Sequence, residues 1–361
     1  MINFKQSDLH SLLRQKVNAH FKEANVSKYG GYTIVLKSII LLLMLFIPYS
    51  LLFIGNHSSL TMLLLAATMG VAIAGLGMSV MHDCIHGSFS SSSRVNTLWG
   101  TIIYVLISGG NPICWRLQHN VLHHRYTNIH GVDEDLNPYG FMRFSPHDKE
   151  KSFFRFQHIY AIFLYSLTTL IWVFHKEFFQ LKRYFSIGLI KSKEQYRREL
   201  SFLVISKILY FSYILVIPLF FLNINIFQWI IGFIVMQSVT GLILALVFQL
   251  AHVIENTDYP LPDEGNNIGH DWASHQVKTT TNFSPNNRLL TWFIGGLNYQ
   301  IEHHFFPTIS HIHYPKIAKL IEQAIKEYGL TYRCYPTFRQ AIKAHFKHLH
   351  NLGNHKRVLK T

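Results

Sequence analysis

A chain of 361 residues that is 49% apolar and only 14% charged falls well short of the roughly 25% charge that soluble domains carry, so its composition excludes an ordinary soluble enzyme and favours a membrane protein. The formal charge of +14 does not argue for nucleic acid, because the Lys and Arg residues sit between apolar runs, as in cytoplasmic loops facing anionic lipid. Three cysteines, Cys84, Cys114 and Cys334, with no CxxC pair exclude a disulfide framework and a cysteine-held iron–sulfur cluster.

The first thirty residues are polar and basic (Lys5, Arg14, Lys16, Lys22, Lys28). They contain no signal-peptide core, so the first span is expected to do the targeting. Thr33 to Phe53 is the first long apolar run; its one charge, Lys37, is expected to snorkel to the interface. Leu60 to Val80 is the second run, after a short uncharged turn. Each reaches the ~20 residues needed to cross ~30 Å of hydrocarbon, and together they predict a hairpin. His82-Asp83-Cys84-Ile85-His86 follows at the membrane exit.

Leu98 to Ser108 is too short to span and ends in Gly109-Gly110-Asn111-Pro112, which predicts a re-entrant or interfacial segment. His119-Asn120-Val121-Leu122-His123-His124 comes next, then the acidic stretch Gly131 to Asp135. Ile159 to Phe174 is a marginal run before the basic segment Lys176 to Glu199. Phe202 to Leu222 and Phe227 to Ala251 form a second hairpin. If residues 159–174 crossed, the basic segment would face outward and the last histidine cluster, Gln300-Ile301-Glu302-His303-His304, would lie opposite the first two. Treating that run as interfacial keeps all positive segments on one side. The expected fold is therefore an all-α integral membrane protein of one domain. Four transmembrane helices in two hairpins lie beneath a cytoplasmic helical cap (residues 82–155, 175–200 and 253–361). Both termini face the cytoplasm.

In the tail, Pro315 to Tyr328 predicts an amphipathic helix with Ile317, Leu320, Ile321 and Ile325 on one face and Gly329 as its stop. Thr337 to Leu349 predicts a basic helix. His311, His313, His345, His348, His350 and His355 are assigned to a basic surface.

The three clusters hold seven histidines: His82, His86, His119, His123, His124, His303 and His304. On a helix, positions four apart share a face, whereas neighbours are turned by about 100°. Adjacent histidines thus address different metals, or different sides of one, and the set suits a dinuclear site. Neutral imidazole suits iron, zinc, copper and nickel. The Glu-rich ligands of di-iron bundles are missing. A single HxxxH is most often two surface histidines; three such clusters matched to one membrane face are hard to explain as scatter.

HDCIH, HNVLHH and QIEHH, with two membrane hairpins, resemble the three histidine boxes of the membrane fatty acid desaturases. The Gln of the third box, with AHVIENTDYP, TTTNF and GGLNYQIEHHFFPTISHIHYP, resembles the front-end, linoleoyl-CoA-type members. The resemblance runs from about residue 30 to 350. It implies two iron ions held by the box histidines, O₂ as co-substrate, and a long acyl chain on CoA or lipid as substrate. Many such relatives carry a fused cytochrome b5 domain with an HPGG motif, absent here. A separate electron donor of cytochrome b5 or ferredoxin type is therefore expected. By the same resemblance seven ligands are too few, and His252, at the end of the fourth span, is the first choice for an eighth. His275 is the second choice. Asp83, Asn120, Asp133 and Asn298 can orient imidazoles, although loop and capping roles suit them better. Gln300 is placed at the edge of the site, holding an iron-bound water or a neighbouring imidazole, with His303, three residues on and on the same helical face, as the expected partner.

The competing readings are a related di-iron hydroxylase or ketolase, and a metal transporter. Transporters put polar ligands on broken helices in mid-membrane, and the four expected spans contain no internal histidine.

Overall fold

The computed structural model describes residues 2–354. Helix α1 (Leu9–Glu23) precedes α2 (Gly31–Leu51) and α3 (Ser59–His86); α4 (Ser93–Ser108) and α5 (Pro112–Tyr126) follow. Then come α6 (Ser152–Ser166), α7 (Thr168–Ser186), α8 (Lys193–Phe221) and α9 (Ile226–His252). The C-terminal part holds α10 (Trp272–Thr279), α11 (Arg288–Phe293), α12 (Gln300–Phe305), α13 (Tyr314–Glu327) and α14 (Phe338–Gly353). Two short parallel pairs complete it: Asn3–Lys5 with Asn267–Asp271, and Asn282–Phe283 with Cys334–Tyr335.

Among the described residues four helices are long and apolar enough to cross a membrane: α2, α3, α8 and α9. These are the four expected spans, with ends moved by a few residues and α8 extended at its N-terminal end through Lys193. The two marginal runs form bent pairs instead, α4–α5 turning by 101° and α6–α7 by 54°. Among the described residues four stretches widen into π-helix: Leu76–Met81, Arg116–His123, Trp172–Lys176 and Ser212–Val216. Such bulges collect at functional sites; the first leads straight into His82 and the second contains His119 and His123.

By internal packing the chain forms two units, one of residues 31–117 and 162–246, the other of 2–30, 118–161 and 247–354. In the first, the α4–α5 break rests on a buried polar cluster. Gly109 ends α4 in a left-handed conformation, where a Cβ would come within 2.6 Å of Tyr210. At Gly110 a Cβ would meet the Tyr104 ring and the Glu177 carboxylate. Glycine is therefore required by both backbone and space. Asn111 caps α5, with Pro112 at its first turn. Glu177 Oε1 accepts from Tyr104 Oη and from the Asn111 amide, while Lys207 Nζ donates to Glu177 Oε2 at 3.1 Å and to the Ser108 carbonyl at 2.9 Å. Lys37 departs from the snorkelling expectation. It is buried (1% exposed) and interacts electrostatically with Asp83, so a carboxylate inside the unit replaces the headgroup region as its partner.

The second unit has the core that shapes the cap. Leu9, Leu13 and Val17 of α1 pack with Ala273 and Val277 of α10 and with Ile317, Ile321 and Ile325 of α13. Burying a side chain of this size stabilises by about 1.5–3 kcal/mol. The expected amphipathic tail helix is α13, followed by Gly329 at φ +78°. The basic helix is α14, started by a Thr337–Gln340 capping box. The tail histidines correct the sequence reading. His311, His313, His345 and His348 are buried rather than on a surface. His345 Nδ1 donates to the Val253 carbonyl at 2.6 Å, and His348 meets the Tyr259 hydroxyl at 2.9 Å. Those partners lie some ninety residues away in sequence, so the histidines look solvated from local composition alone. His355 lies outside the described residues.

Candidate metal centre

Within the cap unit the structure splits each adjacent histidine pair. His124 Nε2 lies 3.2 Å from His119 Nε2 and 3.0 Å from His303 Nε2, so three ring nitrogens converge. His123 turns the other way, to His252 (ring centroids 4.7 Å) and His304 (5.1 Å). The ring nitrogens of His123, His252 and His304 lie within 4.8 Å of one another. All six imidazoles are buried.

The far side of the rings is equally ordered. His123 Nδ1 donates to Asp133, 3.1 Å and 3.2 Å from its two oxygens, and lies 3.3 Å from an Asp135 oxygen. His252 Nδ1 donates to the Thr279 carbonyl at 3.2 Å, and His304 Nδ1 to Gln276 Oε1 at 2.7 Å. His303 Nδ1 and the Tyr314 hydroxyl are 3.2 Å apart. An imidazole whose Nδ1–H is donated outward keeps its Nε2 lone pair for a metal, the usual arrangement around bound ions. The buried Nε2 atoms of His123 and His252 accept no well-formed hydrogen bond, which is costly without a ligand. Two nitrogens each about 2.1 Å from one ion, at a right angle, stand about 3.0 Å apart, so the His124 distances also fit metal ligation.

Asp133 is buried, which would push its carboxyl up. The His123 imidazole and the backbone amides of Asn128 and Asp135 outweigh this and hold it below the usual carboxylate range. Glu302, between the two motif positions, points elsewhere. It accepts from Asn282 Nδ2 at 2.7 Å and from Tyr332 Oη at 2.8 Å, and burial pushes its carboxyl up to about 7.

In the membrane unit, His82 and His86 stand at ring centroids 4.6 Å apart. The Trp115 indole is edge-on to both, at 5.5 Å and 5.6 Å.

A fatty acid desaturase family model matches residues 58–336. The sn-1 linoleoyl-lipid 6-desaturase of Synechocystis sp. is 33% identical over 95% of this chain and 94% of its own length. The chain belongs to the fatty acid desaturase family. An acyl-lipid (8-3)-desaturase of Physcomitrium patens is 33% identical over 97% of this chain and 72% of that protein. A namesake from Mortierella alpina is 29% identical over 95% and 77%. The protein is thus a desaturase, an oxidoreductase, and its apolar helices are those of a membrane protein.

Not every polar residue singled out in the desaturase sequence lies at the rings. His275 stays apart, with Nε2 donating to the Thr127 carbonyl at 2.8 Å and Nδ1 3.3 Å from His270. Burial pushes its imidazole down to about 3. Asn298 Nδ2 ties Ser284 and Thr291 together as a loop fastener. Asn120 makes no hydrogen bond to any of the six rings in the structure, and Asp83 faces Lys37. Gln300 lies beside His252 rather than serving His303, which has Tyr314. Gln276, Thr279, Tyr314 and Asp135 went unnoticed in sequence. Only Asp135 carried a signal, as a carboxylate two residues from Asp133.

Proposed function

We propose that this desaturase holds two irons and inserts a double bond into an acyl chain carried on a membrane lipid. One iron is assigned to His119, His124 and His303, the other to His123, His252 and His304. His82 and His86 enter the ligand set on the sequence resemblance of HDCIH alone. The observation that carries this reading is the splitting of His123/His124 and His303/His304 into two groups, with Nδ1 of His123, His252, His303 and His304 held by protein. Imidazole ligation and the family both suit iron.

The bound metal supplies the oxidising power, drawn from O₂, that side-chain acid–base chemistry lacks against a saturated C–H bond. The protein does the rest. Asp133, the Thr279 carbonyl and Gln276 keep protons on Nδ1 of His123, His252 and His304, so the lone pairs point inward. Burial of the rings excludes bulk water. Gln300 stands beside His252 at the edge of the set.

The names of the relatives favour a lipid-linked rather than a CoA-linked chain, and the front-end type of insertion, on the carboxyl side of an existing double bond. Electrons come from a separate cytochrome b5- or ferredoxin-type protein. The excess of Lys and Arg in the loops supports a reading in which both termini and the histidines face the cytoplasm.

The test is a fatty-acid profile, resolved by lipid class, of a host fed linoleate and expressing either the wild type or His304→Ala. A new double bond appearing first in glycerolipid, only with the wild type, supports the reading. A hydroxylated product, or a product appearing first in acyl-CoA, overturns the corresponding part.

A further inference from the structure

The stretch from the second histidine cluster into the first turns of α6 carries a surface that water alone does not explain. Tyr139, Phe141 (58% exposed), Phe153, Phe156 and Ile159 (65% exposed) all point outward. They form one patch. Lys151 Nζ donates to the Gly140 carbonyl at 2.9 Å and Tyr160 Oη to the Phe141 carbonyl at 3.0 Å, which lays the 139–141 turn against residues 151–160. Behind it, buried Arg143 donates to the carbonyls of Pro146 at 2.7 Å and Leu352 at 3.0 Å, and its own amide donates to Gln157 Oε1 at 2.7 Å. The aromatic rings are held out by a fixed backing.

The exposed charges beside the patch are mostly positive. Lys149, Lys151 and Arg155 are exposed, whereas the two carboxylates of the stretch are engaged: Glu150 by Arg143, and Asp148 by His130 and the Phe144 and Ser145 amides. Lys151 lies 5.7 Å from the Phe153 ring and Arg155 lies 4.6 Å from the Phe156 ring. Rings with cations at their rim suit a membrane interface, where the ring enters the acyl region and the cation meets phosphate. Chain continuity points the same way. Phe156 and Ile159 belong to α6, which with α7 is a bent segment apolar enough for the membrane. A contiguous exposed apolar patch on a soluble surface marks an interaction site, and here the basic rim selects an anionic partner.

We propose that the surface of residues 139–159 beds into the headgroup–acyl boundary and binds anionic phospholipid. It anchors the cap unit to the bilayer at a site separate from the histidines.

The experiment uses the full chain in vesicles. Phe141→Cys and Phe153→Cys are made separately in a Cys334→Ser background, Cys84 and Cys114 being buried, and labelled with an environment-sensitive fluorophore. Both positions are expected to be quenched by lipid carrying a nitroxide near the headgroup, with iodide quenching several-fold weaker than for the free dye. Adding phosphatidylglycerol to phosphatidylcholine vesicles deepens the burial, and a Lys149→Glu/Lys151→Glu/Arg155→Glu variant loses that increment. Full iodide access at both positions overturns the proposal. So does energy transfer between labelled copies without lipid quenching, which assigns the patch to self-association. A phosphatidylglycerol effect unchanged in the triple variant overturns the role of the cations. None of these readouts requires desaturation, so they stand apart from the proposed reaction.

Discussion

The Gln276 side-chain oxygen accepts from His304 Nδ1 at 2.7 Å and from Thr127 Oγ1 at 3.0 Å. One amide therefore fixes the tautomer and plane of an imidazole 28 residues further on. Gln276→Leu removes the acceptor and leaves the ring free to turn. Metal affinity is expected to fall by about 10–100-fold, as losses of outer partners do. Gln276→Glu, which keeps the acceptor, should retain most of it. Competition against a graded series of chelators measures this; equal retention by the leucine variant and the wild type would count against the assignment.

Asp133 accepts from His123 Nδ1 and from the backbone amides of Asn128 and Asp135. Asp133→Ala orphans the two amides and leaves His123 only the Asp135 oxygen at 3.3 Å. Each buried donor left unpaired costs about 1–3 kcal/mol, so this variant should melt well below the wild type and lose metal. Asp133→Asn retains one acceptor oxygen and should fold more nearly normally while still binding metal less tightly. Comparing melting in detergent with metal content separates the two effects. Identical behaviour of Ala and Asn variants in both would refute the separation.

The Lys207–Glu177 pair is buried on both sides. Lys207→Met leaves a carboxylate without its cation, and breaking such a pair costs about 3–5 kcal/mol. Lys207→Met/Glu177→Gln should recover much of the loss, because no unpaired charge remains. Thermal unfolding of wild type, singles and double closes the cycle. A double variant no better than Lys207→Met would show that the α4–α5 break does not rest on this pair.

His345 and His348 predict acid sensitivity. Burial pushes the imidazoles down, to about 4 for His345 and, aided by the nearby His345, to about 3 for His348, against 6.5 when exposed. Between about pH 6.5 and 4 the unfolded chain therefore takes up protons that the folded one refuses. Stability is complete above pH 6.5 and falls as the solution is acidified, by up to about 1.4 kcal/mol per pH unit for each histidine. His348→Gln should flatten part of that slope. Denaturant midpoints at a series of pH values would show it; an unchanged slope would mean His348 is not the group that titrates.

How far the sequence could be read follows from the range of each interaction. Spans such as Ile226–His252 are set by hydropathy within one segment, so their existence was plain and only their ends moved. The box histidines were equally plain, because HDCIH and QIEHH carry their spacing with them. The acceptors behind the rings were not. Tyr314 serves His303 from a helix that reads only as amphipathic, and Thr279 serves His252 through a backbone carbonyl, which no side-chain pattern announces. Helix α1 hid among its lysines, although Leu9, Leu13 and Val17 repeat every four residues. Lys37 was misplaced for the opposite reason: its neutraliser, Asp83, lies in another helix.

The π-helical turn at Leu76–Met81 holds one residue more than an α-helix would use for the same advance. Delete one residue there and an unbroken α-helix forms with His82 and His86 facing nearly as before. Delete one from the regular α-helix ahead of it, Ser59–Gly75, and nothing absorbs the loss: both histidines swing by about 100° about the helix axis. A change in chain length can thus do what no conservative substitution can, which is to leave the donors intact and aim them at the wrong place. In this enzyme the count of residues ahead of a ligand is as much a part of the site as the ligand itself.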